Sequence, residues 1–329
     1  MARITVPEAE ALLDQKVPVL DHGFVRLVDY LGGDARIVQA ARVSYGDGTK
    51  TVREDRALID YLLRNRHTSP FEQVILTFHV KMPIFVARQW IRHRTARLNE
   101  ISGRYSVMRD EFYAPRPHEV RYQSRRNRQG GDEREVPEAL RQKVIDVLSE
   151  GQRETYRTYE SLLEDDVARE LARVNLPLSL YTEMYWQIDL NNLFHFLRLR
   201  MDWHAQYEIR AYGDAMARVV RAVCPLAYDA FEEHILHART LSKSELGMLR
   251  EAIDLPRLEA ALAASEMRPS RRQEFLQKVG LAENAAPENA APEDGAPEDG
   301  APEHADPKNA ATEDGARAAS DAHEPTPST

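Results

Sequence analysis

The chain has 329 residues, enough for one large domain or two ordinary ones, and 43% of them are hydrophobic, which supplies a sizeable core. Its formal charge of −9 belongs to one end: residues 283–329 hold 12 of the 53 acids but only 2 of the 44 bases, which leaves 41 acids against 42 bases before them. A near-neutral body argues against bulk electrostatic binding of nucleic acid while permitting local basic pockets.

A single cysteine, Cys224, excludes an intramolecular disulfide and argues against a cysteine-based zinc site. The start "MARITVPEAEALLDQ" lacks the basic and apolar regions of a secretory signal. No apolar run approaches the ~20 residues that span a bilayer. The cytoplasm is the expected location.

In chain order, "GFVRLVDYL" reads as a strand and "DARIVQAARVSYG" as a helix entered at Asp34. "REDRALIDYLLRN" has helical spacing through Ala57, Tyr61 and Leu62, and "HTSPF" reads as a turn. "VILTFHV", Val74 to Val80, is β-branched and aromatic, hence a strand, with His79 as a satisfied core histidine. Pro83 suits the first turn of a helix "PIFVARQWIRH", which places Arg88 and Arg92 one turn apart on one face. The following residues read as a loop through Asn99 and Gly103.

"HEVRYQSRRNRQGGDEREVP", residues 118–137, reads as a solvated surface excursion, and a long helix is expected from Pro137 towards Leu163. "LYTEMYWQIDL" reads as a strand, followed by a helix "NNLFHFLRLRM" and another from Ala205 to Val223. "SKSE" at Ser242–Glu245 has the pattern of a capping box. The expected class is mixed α/β, richer in helix than strand, with one body over residues 1–282. Pentads such as ENAAP and EDGAP fill residues 283–317. Residues 283–329 are expected to be a disordered tail, since Ala, Pro, Gly and acids bury too little apolar area to offset the entropy of ordering.

Two clusters carry chemistry. In "QWIRHRTARLNEISGRY", Arg92, Arg94 and Arg104, with Ser102 and the amides around Gly103, could grip phosphate through paired hydrogen bonds. A surface cluster paired with carboxylates fits the composition equally well. In "FLRLRMDWHAQYEIR", Arg198 is one turn from Asp202, which suggests an ion pair. Arg200 lies on a different face with His204 one turn beyond, where a cation could stabilise charge developing on a heterocycle. Rossmann, P-loop, HExxH and CxxC patterns are all lacking. Cys224 reads as packed rather than reactive.

Arg92-His93-Arg94, seven residues, then Ser102 resembles the signature of the flavin-dependent thymidylate synthases. "HTSPFEQ", "PIFVARQWIRHR", "NEISGRYS", "LPLSLYTEMYW" and "LRLRMDWHAQYEI" resemble that family in the same order, over about residues 20–240. The resemblance implies methylation of dUMP to dTMP, with methylenetetrahydrofolate as carbon donor, NADPH as reductant and FAD as cofactor, and with no cysteine nucleophile. It implies a homotetramer whose active sites are shared between subunits around a central mixed sheet packed with helices.

Carried over by position, dUMP meets Gln89, Trp90, Ile91, Arg92, Glu100, Ile101, Ser102, Gly103, Arg104, Arg173 and Arg200. FAD meets Ser69, Arg92, His93, Arg94, Glu100, Asp189, Leu190, Asn191 and His195. Arg200 is the catalytic group, favouring ionisation at the pyrimidine's N3. Two positions depart from the pattern: Arg97, where a small polar residue is common, and Asp189, where Asn is frequent. The competing readings are a non-catalytic nucleotide- or RNA-binding protein using its arginine clusters, and an assembly protein acting through its acidic tail.

Overall fold

The computed structural model describes residues 3–43, 52–125, 130–132 and 134–281; the expected tail at 283–329 lies outside them. The chain divides into two compact units, Met1–Thr240 and Leu241–Thr329, where the sequence suggested one body to residue 282.

The first unit runs α1 (Pro7–Glu10), β1 (Lys16–Val19), β2 (Gly23–Leu31), α2 (Asp34–Arg42), α3 (Val52–Arg64), β3 (Ile75–Pro83) and α4 (Ile84–Trp90). It continues β4 (Arg97–Glu100), α5 (Glu138–Glu164), α6 (Arg169–Ala172), β5 (Tyr181–Asp189), α7 (Leu190–Arg200), α8 (Tyr207–Val223) and α9 (Pro225–Phe231). The sheet has the order β1-β2-β3-β5-β4 and every strand pair is antiparallel. This corrects the expected mixed sheet. The period-2 pattern of "ILTFHVKMP" carried the reason: Leu76, Phe78, Val80 and Met82 are fully buried while Thr77 and His79 face a wetter side, as suits an antiparallel sheet covered on one face.

The covered face meets α4, α7 and α8. Trp90 lies at the centre, with Phe196 at 4.6 Å, Trp186 at 5.3 Å and Tyr212 at 6.0 Å between ring centroids. On the other face His79 is satisfied but is not in the core. Arg26 Nη2 donates to its Nδ1 and its Nε2 donates to Glu183, each at 2.9 Å.

Three local readings change. Pro83 ends β3 opposite Tyr181 and caps α4 rather than entering it; the ladder to β2 has stopped at Lys81, so its missing N–H costs nothing there. Next, α4 stops at Trp90 and a turn closes with His93 N–H to the Trp90 carbonyl at 3.0 Å, so Arg92 is not one helical turn from Arg88. Finally, Arg97–Glu100 is not loop. It forms β4 on the open edge of β5, with Asn99 opposite Tyr185.

Asp34 does begin α2, but it serves a different helix. Its carboxylate accepts the Leu226 and Ala227 N–H groups, at 2.8 and 3.0 Å, in the first turn of α9. Burial raises its pKa from 3.8 to about 6 against the opposing pull of those donors. The folded value lies above the unfolded one, so its contribution is fully present below about pH 4 and is lost as pH rises through 6. Asp34→Asn keeps an acceptor without the charge. In urea melts the variant is expected to gain about 3 kcal/mol on the parent between pH 4 and pH 7. A difference that stays flat with pH would show that Asp34 titrates normally.

In the second unit, the capping box forms at the start of α10 (Lys243–Ala252): Ser242 Oγ accepts Glu245 N–H and Glu245 Oε2 accepts Ser242 N–H. α11 (Leu255–Ala264) and α12 (Pro269–Lys278) follow, the former capped by the Asp254 carboxylate. Among the described residues no helix is long and apolar enough to cross a membrane.

Candidate active site

Arg200 ends α7 and is fastened to the turn that ends α4. Its Nε donates to His93 Nε2 at 3.1 Å and its Nη2 to the Gln89 carbonyl at 2.9 Å. Guanidinium only donates, so His93 accepts at Nε2 and carries its proton on Nδ1. Burial first, then the charges of Arg200 and His195, push the His93 pKa down to about 4. The ring is therefore neutral at physiological pH and the clamp does not titrate there. Burial also lowers the Arg200 pKa, but from so high a value that the cation persists.

Gln89 donates its side-chain amide to Gln206 at 2.6 Å. Both Gln89 and Arg200 line a cavity of about 810 Å³. Trp203, His204 and Tyr207, between and at the start of α7 and α8, line it too, as does Arg121. The stretch read as a surface excursion thus supplies a wall. Its base is ordered by a β-bridge between Gln123 and Gly131 and by Asp132 N–H to the Tyr122 carbonyl at 2.7 Å. Gly131 lets the Arg121 stem cross, since a Cβ there would lie 2.7 Å from it. Nothing in the local sequence marks Arg121 for this place, whereas Trp203 and Tyr207 belong to the aromatic cluster around Arg200.

A second group forms past β4. Glu100 accepts from Thr182 Oγ1 at 2.6 Å, and the Ile101 N–H reaches the Glu183 carbonyl at 2.9 Å. The Ser102 carbonyl accepts the Tyr105 and Ser106 N–H groups at 3.1 Å, making a compact turn. Gly103 is buried beneath Arg173; a Cβ would stand 2.9 Å from the arginine's Cδ. Arg104 Nε donates to Glu170 at 3.0 Å, both side chains more than half exposed. Such a surface pair contributes little and yields readily to a ligand phosphate. The structure brings Ser102, Gly103, Arg104 and Arg173 together, and Gln89, His93 and Arg200 together. Among the described residues the large cavity is lined by Gln89 and Arg200 of the second set and by none of the first.

The proposed flavin contacts fall around the start of α7. Thr95 Oγ1 donates to Asn192 Oδ1 at 2.9 Å, tying the segment after exposed Arg92 and Arg94 to that helix. Half-buried Asn191 precedes it, and exposed His195 sits with its ring 5.6 Å from that of His93. Ser69 lines a separate cavity of about 440 Å³ with Arg36, Gln39 and Gln73.

Three carried-over residues have other work. The Trp90 side chain is enclosed in the core, leaving only its backbone for a ligand, and Ile91 beside it is half-buried. The Asp189 carboxylate caps α7 through Asn192 N–H at 3.0 Å and holds Asn192 Nδ2 at 2.7 Å, so this departure places no free acid against a cofactor phosphate. Leu190 is fully buried and its N–H bonds the Val74 carbonyl. Cys224 is also fully buried, with its thiol pKa pushed up by burial and by Asp34, which makes a poor nucleophile.

Residues 26–226 match the profile of a family described as thymidylate synthase complementing protein. A flavin-dependent thymidylate synthase of Treponema denticola is 62% identical over 241 residues, covering 73% of this chain and 91% of that one. Another, from Thermus thermophilus, is 56% identical over 263 residues, covering 80% of this chain and 95% of its own. Among solved structures, the UMP/dUMP methylase PolB from Streptomyces cacaoi bound with 5-Br dUMP has a TM-score of 0.60 at 33% identity, over 66% of this chain and 97% of that one. The chain belongs to the flavin-dependent thymidylate synthase family.

Proposed function

We propose that the chain makes thymidylate by methylating dUMP with a flavin as cofactor, and that the clamp on Arg200 is the feature of the site that serves this chemistry best. A cation held beside a uracil ring stabilises negative charge developing at N3 and on the adjoining oxygens, which makes C5 nucleophilic towards a one-carbon electrophile. A fixed guanidinium needs no rearrangement as that charge appears. No protein thiol is required, in keeping with the burial of Cys224.

The donor set suits FAD. Exposed Arg92 and Arg94 can meet its diphosphate, Ser69 offers a hydroxyl beside a cavity, and His93 and His195 offer imidazole faces near Asn191. Bound there, the flavin would supply the reducing equivalents that turn the added carbon into a methyl group. We assign methylenetetrahydrofolate and NADPH as co-substrates. Ser102, Gly103, Arg104 and Arg173 are assigned to the nucleotide phosphate, and Glu100 and Ile101 to its neighbourhood.

The separation of the phosphate set from the Arg200 cavity supports sites shared between subunits. So do the exposed apolar residues Tyr105, Leu171, Val174 and Leu178 beside the phosphate set, and Val147 and Leu148 on α5. A homotetramer is the assembly we propose. The test is the visible spectrum of the purified protein followed by NADPH oxidation with and without dUMP. A flavin spectrum with dUMP-stimulated oxidation and dTMP formation supports the reading. A colourless protein that takes up no FAD and oxidises no NADPH would return the arginine clusters to a binding role.

A further inference from the structure

Forming thymidylate exchanges the hydrogen on C5 of the uracil ring for a methyl group, so a proton must leave C5. Arg200 is a permanent cation, the Gln89 amide is not basic, and the His93 Nε2 lone pair is occupied by Arg200. Two imidazoles line the cavity, His118, whose Nε2 lies 3.9 Å from Glu119, and His204, while the carboxylates of Glu119 and Glu208 on its wall both accept from the Tyr113 hydroxyl. His204 lies in the turn between α7 and α8, with its Nδ1 2.7 Å from Asp202 Oδ1. The same oxygen accepts the His204 backbone N–H at 2.8 Å, and the Trp203 ring lies against the imidazole with centroids 3.5 Å apart. The ring is thus held on one edge and one face.

The tautomer follows from these partners. The His204 backbone N–H, ahead of the ring itself, holds the Asp202 carboxyl below its usual range, so it is ionised and can only accept. His204 therefore carries its proton on Nδ1 and presents the Nε2 lone pair. The expected Arg198–Asp202 ion pair gives way to this arrangement, in which the carboxylate is engaged by His204. Glu119, Arg121, Arg200, Glu208 and Arg210 share the cavity with His204, and the positive charge of Arg239 also favours the ionised Asp202.

We propose that His204 is the base that removes the C5 proton, with Asp202 as its positioning residue. The inference rests on the reading of the chain as a thymidylate synthase. The uracil C5=C6 electron pair forms the bond to the one-carbon electrophile, leaving C5 with both its hydrogen and the new carbon, and C6 short of electrons. The C5–H bond then breaks, its electron pair restores C5=C6, and the proton joins Nε2. The resulting imidazolium is stabilised by Asp202 and releases the proton to water.

The experiment follows tritium release from dUMP labelled at C5, alongside dTMP formation, in the full-length flavin-loaded protein. His204→Gln is expected to slow both by about 100-fold or more, since general base catalysis contributes on that order. Its flavin content and its dissociation constant for dUMP should stay close to the parent's. Asp202→Asn, which keeps an acceptor for the turn but lets the ring change tautomer, is expected to lower kcat by at least about 10-fold with KM for dUMP little changed. It also decides the matter should His204→Gln fail to fold. Parent-like tritium release in either folded variant overturns the assignment. A parent protein that forms no dTMP and releases no tritium overturns the activity itself, a different result from an active parent with an indifferent His204.

Discussion

Arg200→Ala is expected to lower kcat for thymidylate formation by about 100- to 1,000-fold while the flavin spectrum stays intact, on the scale of removing one preorganised stabiliser of developing charge. The geometry explains why the loss should appear in kcat. Arg200 is held in advance by His93 and by the Gln89 carbonyl, so its remaining donors are aimed before any nucleotide arrives. Arg200→Lys should rescue little. A lysine keeps the charge but not the planar fork, and cannot bond His93 and Gln89 while presenting further donors in a fixed direction. Near-parental kcat in Arg200→Ala would remove the residue from the chemistry. Because His93 is already neutral well above its pKa of about 4, the clamp itself should impose no change in rate between about pH 5 and pH 8.

Trp90→Ala is expected to destabilise the fold by about 3–5 kcal/mol, the range for emptying a large aromatic from a packed core. Trp90 is fully buried against Trp186, Phe196 and Tyr212, and its indole N–H has no hydrogen-bond partner. Trp90→Phe therefore loses no hydrogen bond and should fold, with dUMP affinity near the parent's. Denaturant melts of the two variants, with nucleotide binding measured on the folded one, separate packing from recognition. A well-folded Trp90→Ala with weakened dUMP binding would restore Trp90 as a contact. The same burial predicts that the residue acts on the site only through the position of α4, and hence of Gln89.

What could be read from the sequence was what local pattern determines. The strand read at Val74–Val80 and found at residues 75–83, the long helix ending near 164 and the capping box at Ser242 all have their cause within a few residues. Arg200 was marked because it stands among aromatic residues on a short helix, and the resemblance around Arg92–Ser102 gave it a role. The features that escaped depend on distant partners. Asp34 resembles an ordinary helix starter, and only the fold brings Leu226 and Ala227 to it. Asp189 stood out only as a departure from the family pattern, because its engagement with Asn192 follows from the strand ending where α7 begins. Arg121 gives no sign of lining a cavity, since that position depends on a hairpin closing beside α8.

β4 escaped for a different reason. All four of its residues are exposed, so it has no apolar alternation to betray it, and its place is fixed by the edge of β5 alone. Main-chain hydrogen bonds do not read side chains. The strand can therefore change its letters without moving Ser102, which hangs from its far end. This leaves room for Arg97, the extra charge inside an otherwise familiar signature: its side chain is exposed and its place is held by main-chain pairing opposite Gln187. A scan of substitutions along the motif should accordingly be uneven, tolerant at 97 to 99 and abruptly intolerant at Gly103, where the constraint passes from backbone pairing to the space beneath Arg173.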